Sequence, residues 1–420
     1  MSYLNDWRGL FGSWRNDLIA GITVGIVALP LALGFALTTG APASAGLSTA
    51  IIAGFIAAFF GGSNFQVSGP TGAMTVVLVP IVATYGLGAL PALGFVAGLI
   101  IIALSVLRLG NYIDRVPLAV MEGFTLGIAL IIALQQIPLI LQVPKASGSH
   151  TVSVAIDTVR SALNEKIHWA SIILAFSTLA LKRLWPRIKN ILRIKPHVPA
   201  SIVAVFTLSL FAYVAGIQTA RIGELPRSLS FEVNLSLPDM PITKFVYAAL
   251  VIAMLGAIES LLFARVADGL AHQHINHEQP KHQPNKELFG QGLATIASVS
   301  AGGLPATGAI ARTSVNVHAG AQTRLAAMVH ALFLLLVVLF FAPVVSQIPT
   351  AVLAGVLLGT SLRIANPRNV KEALQTTGSQ RIVYSATALS VLFIDLIWGI
   401  GIGLLVNEFA KRIEERKKVN

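Results

Sequence analysis

The 420-residue sequence contains no cysteine, and only 11% of its residues are charged. The first absence excludes disulfides and thiolate metal sites, and it leaves the compartment unread from redox chemistry. The second, beside 55% hydrophobic residues, excludes a water-soluble globule, in which about 25% of residues are charged. A P-loop, a Walker lysine and a nucleophile elbow are also missing, so neither an ATP-driven pump nor an enzyme is expected, and no cofactor or metal. Acidic residues are scarce: 18 Asp and Glu stand against 30 Lys and Arg, a net charge of +12. Such a balance raises the question of nucleic acid. The basic residues, however, sit in short segments between apolar runs, where they set membrane orientation, and no nucleic-acid partner is expected. Met1–Leu18 holds no short apolar stretch ending in a small-residue cleavage site, so no removable signal peptide is read there.

What the chain has in abundance is apolar runs. A helix crossing the hydrocarbon needs ~20 residues. Runs interrupted by Gly, Pro and charge fall near 17–37, 45–60, 70–84, 88–107, 117–141, 167–181, 198–216, 245–268, 287–301, 307–318, 324–343, 348–361, 382–395 and 397–410. These fourteen segments predict an all-α, polytopic integral membrane protein with the lipid bilayer as its solvent. An even number of crossings puts both termini on one side, and the basic residues then test which side it is. On the terminal side fall 23 of the 30, including Arg8, Arg15, the cluster from Lys182 to Lys195 and the tail from Lys411 to Lys418; six fall on the other side, and Arg312 is left inside an apolar segment. Both termini are therefore expected in the cytoplasm, the protein lying in the inner (plasma) membrane. Residues 1–16, with Leu4, Trp7, Phe11 and Trp14 at helical spacing, read as an N-terminal interfacial segment. Residues 17–410 read as the membrane domain, 411–420 as a cytoplasmic basic tail, and 218–242 as an extended external loop carrying Pro226, Pro238 and Pro241.

Two of the shorter segments open with nearly the same words, Ser68-Gly69-Pro70-Thr71-Gly72-Ala73-Met74 and Gly303-Leu304-Pro305-Ala306-Thr307-Gly308-Ala309-Ile310. Aligned on Thr-Gly-Ala they lie 236 residues apart (307 − 71). They are the third and tenth crossings, hence equivalent members of two seven-helix halves, about 17–216 and 245–410, of opposite orientation. Short, Gly/Pro-interrupted segments in corresponding positions of two halves point to a transporter site near the midplane. Each proline is expected to end an extended stretch, and the Thr-Gly after it to start a half-helix. Unpaired N–H groups at a helix start carry about half a positive charge, so two starts facing each other make a cradle for a small anion. The candidates are Thr71, Gly72, Ala73, Thr307, Gly308 and Ala309.

A charge at the bilayer centre costs roughly 2.5–3.5 kcal/mol even on the lenient insertion scale, so the few inside apolar segments are functional candidates. Glu259 lies well inside the eighth segment, and Arg312 follows Thr307-Gly308 in the tenth. If those segments are neighbours, the two pair, and an arriving anion would compete with Glu259 for the guanidinium. Glu122 opens the fifth segment and reads as snorkelling; Asp395 sits at the external end of the thirteenth. Gln135 and Gln136 precede Pro138 and are read chiefly as helix-packing residues, facing a cavity being the other possibility. His272, His274, His277 and His282 have a spacing that admits zinc, but nothing fixes the imidazoles on one face, and a solvated loop is expected.

The run Asn285-Lys286-Glu287-Leu288-Phe289-Gly290-Gln291-Gly292-Leu293-Ala294, followed by Gly302-Gly303-Leu304-Pro305-Ala306-Thr307-Gly308-Ala309-Ile310-Ala311-Arg312-Thr313-Ser314-Val315-Asn316, resembles the sulfate permease (SulP) family of anion transporters. Asp17-Leu18-Ile19-Ala20-Gly21, Ala28-Leu29-Pro30, Gly69–Ala73 and Gly123-Phe124 extend the resemblance over most of the chain. It implies a seven-plus-seven inverted repeat split into core and gate domains, working as a homodimer by an elevator-like motion. The implied anion site maps onto Pro30 and Phe35, Thr71–Ala73, Glu259 and Thr307–Arg312. Sulfate-carrying members often have Gln after the proline and Tyr further on, whereas this chain has Leu31 and Phe35, as in bacterial branches that include bicarbonate carriers. Sodium-coupled bicarbonate members place hydroxyls where this chain has Phe263 and Ile310. A hard cation needs oxygen ligands, so proton coupling through Glu259 is expected instead. Most members carry a cytoplasmic C-terminal STAS domain, and the sequence reads as having none.

The sequence thus predicts a secondary active transporter of a small inorganic anion or carboxylate (bicarbonate, sulfate or a carboxylate), held by two helix starts and Arg312 and coupled to protons through Glu259. The alternatives are a sodium-coupled bicarbonate transporter, an anion exchanger or channel, a nucleobase permease of the same architecture, and a non-transporting scaffold.

Overall fold

The apolar runs are helical in a computed structural model that describes residues 12–113, 116–146, 148, 151–164, 167–193, 199–225, 237–274, 281–376, 378–394 and 396–419. In chain order the helices are α1 (Trp14–Thr39), α2 (Ala43–Phe60), α3 (Gly72–Tyr85), α4 (Ala89–Val106), α5 (Gly110–Ile113), α6 (Leu118–Gln135), α7 (Ile137–Leu141), α8 (Thr151–Asn164) and α9 (Trp169–Ile191). They continue as α10 (Ala200–Val214), α11 (Ile242–His274), α12 (Pro284–Ser300), α13 (Ile310–His318), α14 (Leu325–Val345), α15 (Thr350–Ile364), α16 (Pro367–Gln375), α17 (Gly378–Phe393) and α18 (Leu396–Val419). Two short strands, β1 (Ser68–Gly69) and β2 (Thr307–Gly308), pair antiparallel, Ser68 opposite Gly308 and Gly69 opposite Thr307.

Prolines set many of the starts. Pro42, Pro117, Pro199 and Pro349 each hold an extended conformation directly before α2, α6, α10 and α15, as a fixed φ and a missing N–H allow at a helix entry. Gly40 ends α1 in the left-handed region at φ 88°, its N–H returning to Ala36 and Leu37 carbonyls. Among the described residues six spans, α1, α2, α4, α6 with α7, α11 and α14, are long and apolar enough to cross a bilayer, and the chain is a multi-pass membrane protein. Phe206, Phe211 and Val214 of α10 and Phe340, Phe341 and Val344 of α14 are exposed, as side chains facing lipid are. Inside, small residues let helices touch: a methyl group added to Gly98 of α4 or to Gly292 of α12 would lie 2.8 Å from the other's carbonyl oxygen.

The helices pack as two groups. α1–α4 and α11–α14 form one, and α6–α10, α15, α17 and α18 the other, meeting where α1 and α3 abut α15 and α6. At one end of α1 the buried Asp17 accepts from the N–H groups of Gln322 and Thr323 and from the Thr323 hydroxyl, at 2.7, 3.0 and 2.7 Å. This ties the entry of α1 to that of α14.

Several boundaries differ from the sequence reading. α1 begins at Trp14, so Trp14–Asn16 are its first residues; Leu4, Trp7 and Phe11 lie outside the described residues. α9 runs through the basic cluster to Ile191, and α18 carries the basic tail onward as helix to Val419, because Lys and Arg are good helix formers. The helices α8 and α16 have no counterpart in the apolar segments. Both are amphipathic, α8 burying Val154, Ala155, Thr158 and Ala162 on one face, and neither forms an apolar run. Of the 218–242 loop, residues 218–225 lack helix, with Arg221 bridged to Pro349 and the Ile222 N–H on the Ile348 carbonyl. Glu122 is exposed on α6, and Asp395 lies outside the described residues. His272 lies on α11, whereas His282 is not solvated: its N–H and its Nδ1 both contact Asp268 Oδ2, at 2.9 and 2.7 Å. His277 falls outside the described residues, among which no group of three metal-ligating side chains occurs.

Candidate functional site

Two extended segments, 61–71 and 303–309, cross the middle of the first helix group and are held there by polar side chains of the 285–316 stretch. Glu287 Oε2 accepts from the Gly62 and Ser63 N–H groups, at 2.8 and 2.9 Å, while its Oε1 accepts from Gln66 Nε2. Gln291 takes the Ser68 hydroxyl on Oε1 and donates Nε2 to the Ala306 carbonyl, at 2.9 and 2.8 Å. Thr313 Oγ1 accepts from the Val67 N–H, and Asn316 donates to the Phe65 carbonyl. Extended backbone has no internal hydrogen bonds, and at membrane depth every polar group must find a partner in protein. This ladder of side chains supplies them.

The ladder delivers two helix starts to one place. Thr71, extended, caps α3: its Oγ1 accepts from the Met74 N–H and its carbonyl from the Thr75 N–H. Ala309, extended, precedes α13, where the Arg312 and Thr313 N–H groups both reach the Ala309 carbonyl. First-turn N–H groups have no acceptor within their own helix, which leaves Gly72 and Ala73 of α3 and Ile310 and Ala311 of α13. All four line a single cavity of about 60 Å3. Phe35 of α1, Glu259 of α11 and Arg312 complete one wall, and Phe124, Thr125, Ile128, Ile132, Thr360 and Ile364 of the second helix group face them.

The two charged side chains are arranged otherwise than expected. Glu259, 4% exposed, is not paired with Arg312; its Oε2 accepts the hydroxyls of Thr71 and Thr307 at 3.0 and 2.6 Å, and these hydroxyls lie 3.0 Å apart. Arg312, 1% exposed, donates Nη2 to the Pro70 carbonyl, while its Nη1 is buried with no hydrogen-bond partner. A methyl group on Gly69, which stands at φ 152°, would strike this guanidinium, so only glycine admits Arg312 here. A charged donor held out of water with a whole NH2 group unpartnered is a group that a bound anion would satisfy.

Among the residues singled out by the sequence, the structure brings Phe35, Thr71, Gly72, Ala73, Glu259, Ala309 and Arg312 to the cavity wall. Pro30, Thr307 and Gly308 are not on it. Pro30 is buried within α1, and Thr307 stands behind Glu259. Gly308 lies in β2 with its N–H on Ser260 Oγ at 3.1 Å, and a Cβ there would meet the Gln66 carboxamide. The matched words are therefore not structural equivalents. Thr71 caps a helix at once, whereas Thr307-Gly308 is strand and α13 starts two residues later. Apart from Phe124, quoted with Gly123, the second-group lining residues are not singled out by the sequence, because nothing distinguishes them from other helix positions. Glu287 and Gln291 stood inside the quoted stretch without an assigned role.

Residues 14–387 match the sulfate permease family. The chain belongs to that family. Relatives of this permease include the Bacillus subtilis (strain 168) protein named "Putative sulfate transporter YvdB", 36% identical over 97% of this chain and 76% of the relative. Another is the bicarbonate transporter BicA of a Picosynechococcus strain, 32% identical over 94% of this chain and 70% of the relative. The solved transmembrane domain of a cyanobacterial BicA superposes with a TM-score of 0.82 at 31% identity, covering 94% of this chain and 98% of that one. SLC26A9 superposes at 0.84 with 17% identity over 98% of this chain and 67% of that one, a likeness of fold. The permease is thus a membrane anion transporter of the sulfate permease family, with relatives named for sulfate and for bicarbonate.

Proposed function

We propose that this permease is a proton-coupled secondary transporter of a small oxyanion, bicarbonate or sulfate before a carboxylate. The observation that carries the reading is the buried Arg312 guanidinium, its Nη1 without a partner, beside two helix starts whose first residues line one cavity. The first residues of two helices and a guanidinium bring a surplus of donors to the cavity, while the Glu259 carboxylate on its wall already accepts the Thr71 and Thr307 hydroxyls; that balance suits an anion better than a nucleobase, whose edges also need acceptors. The cavity lies between the two helix groups, which supports reading them as core and gate. The gate contributes mainly apolar side chains, so the core can slide past it with the anion aboard, in fourteen crossings arranged as a seven-plus-seven inverted repeat with α3 and α13 as half-helices. A homodimer that fixes the gates, cytoplasmic termini and an inner-membrane location complete this reading, the last two resting on the distribution of Lys and Arg.

Glu259 is the coupling residue in this proposal. An anion on Arg312 places a second negative charge near a desolvated carboxylate, and like charges favour protonation. Anion and proton then strengthen each other's binding, as linkage requires. One observation favours a second reading, sodium coupling: Thr71 and Thr307 put two hydroxyl oxygens against Glu259, oxygens that the argument from Phe263 and Ile310 did not count. In the geometry present both hydroxyls point their protons at the carboxylate, and a cation would have to displace them. The test is uptake of labelled bicarbonate or sulfate into liposomes. With an inward proton gradient, wild type is expected to accumulate anion and be indifferent to replacing sodium by choline at constant pH. Glu259→Gln is expected to exchange anion across the membrane but not accumulate it. Dependence on sodium, or wild-type accumulation by Glu259→Gln, overturns proton coupling.

A further inference from the structure

The basic cluster that begins at Lys182 stands at the end of α9, and its first member is placed unlike the arginines that follow. A lysine where an apolar helix ends ordinarily extends its ammonium toward water or lipid headgroups. Arg183 and Arg187 are exposed in that way, whereas Lys182 is half-buried and turned onto α15. Its Nζ donates to the Val356 carbonyl and to Thr360 Oγ1, at 2.9 Å each. Gly359 makes room for it, since a Cβ there would come within 3.1 Å of Lys182 Cδ and 3.4 Å of Nζ. Thr360 is buried and is one of the second-group residues on the wall of the central cavity. The ammonium therefore stands one side chain behind that wall, across the cavity from Arg312.

Neither acceptor needs the ammonium. The Thr360 hydroxyl already donates to the Val356 carbonyl at 2.9 Å, and that carbonyl also belongs to the i to i−4 ladder of α15. An apolar side chain of similar length would pack in the same place without withdrawing a charge from water, so the charge itself calls for an explanation. The helices around it contribute no counter-charge. α7, α10 and α15 pack against α9, and none of these four helices contains Asp or Glu. Arg363 of α15 lies close enough to repel the ammonium. On α6, which also faces the cavity, the acidic residue is Glu122; it is exposed, and solvent and salt screen it.

We propose that Lys182 is a specificity-determining residue: its ammonium, acting across Thr360, favours divalent over monovalent oxyanions in the cavity beside Arg312. The inference rests on the anion-transport reading above and adds to it a selection by charge. A Coulomb interaction scales with the charge of each partner, so Lys182 contributes about twice as much to holding sulfate as to holding bicarbonate. Its effect on affinity is then the square for the divalent anion. A residue that merely packs α9 against α15 would alter both affinities by one factor.

The test is counterflow of labelled bicarbonate and of labelled sulfate through the full-length protein in liposomes, read as a half-saturating concentration and a maximal rate for each anion. Lys182→Gln keeps amide donors for Val356 and Thr360 and removes the charge. It is expected to raise half-saturation roughly threefold for bicarbonate and roughly tenfold for sulfate, with maximal rates near wild type. Lys182→Met, which removes donors and charge together, is expected to do the same. Lys182→Arg, which restores the charge, is expected to bring both anions back within about twofold of wild type. Folding of each variant is checked by size exclusion. Four results overturn the inference: half-saturation unmoved by Lys182→Gln, a rise by the same factor for both anions, a rise in Lys182→Arg as large as in Lys182→Gln, or a wild type that exchanges bicarbonate and takes no sulfate. A wild type that exchanges neither anion would sink the anion-transport reading and this inference with it, whereas any of the four leaves that reading standing.

Discussion

The contrast between Gly72 and Gly308 separates a residue that faces the anion from one that only supports it. A Cβ on Gly72 would strike Ile132 and come within 3.2 Å of the Phe35 ring, both in the cavity wall. Gly72→Val is therefore expected to fill the site and abolish anion binding in a folded protein, with little change in Tm. A Cβ on Gly308 would meet the Gln66 carboxamide, whose Nε2 is bonded to Glu287. Gly308→Val is expected to lower Tm clearly and weaken binding only through that disturbance. Measuring Tm and anion affinity for both variants checks the assignment, and equal loss of Tm in both would contradict it. Thr307→Val belongs to the same scale. It removes the shorter of two hydroxyl hydrogen bonds to the buried Glu259 carboxylate and is expected to destabilise the protein by about 1–3 kcal/mol, measurable as a shift in the denaturation midpoint.

Among elements, the pairing of β1 with β2 depends on α12, because Gln291 bonds both the Ser68 hydroxyl and the Ala306 carbonyl. Gln291→Leu leaves the Ser68 hydroxyl buried without its acceptor and the Ala306 carbonyl with only the Thr295 hydroxyl at 3.2 Å, an expected loss of about 1–3 kcal/mol. Anion affinity is expected to fall as well, although Gln291 touches no part of the cavity; thermal unfolding and equilibrium binding measured on one preparation check both. Much of this was legible in the sequence. Apolar runs located the helices, and repeated Gly/Pro-interrupted words located the two extended segments. Words do not fix register, however: Thr71 caps α3 directly, while Thr307 sits in β2 because α13 begins only after Ala309. Charge counting found Glu259 and Arg312 but not that the carboxylate takes two hydroxyls as its hydrogen-bond partners. Which partner a buried carboxylate takes depends on which hydroxyls the fold brings within 3 Å, and the sequence does not encode that locally. The amphipathic α8 and α16 were missed because a search for crossings looks for apolar runs.

At the scale of the whole molecule, the cavity lies where two helix groups meet, with donors from one and apolar side chains from the other. In the proposed mechanism this division lets one group slide against the other with few hydrogen bonds to break, the long Thr38–Gln136 contact at 3.4 Å being one that crosses the seam. The central claim is that Arg312 and two helix starts hold the anion, and counterflow tests it most directly because it needs binding and translocation but no gradient. Liposomes loaded with unlabelled bicarbonate or sulfate are to take up the labelled anion through wild type and through Arg312→Ala, with folding of the variant checked by size exclusion. Loss of a charge-assisted hydrogen bond of about 1.5–3 kcal/mol predicts counterflow reduced at least roughly tenfold at sub-saturating anion. Counterflow at the wild-type rate through folded Arg312→Ala would contradict the account.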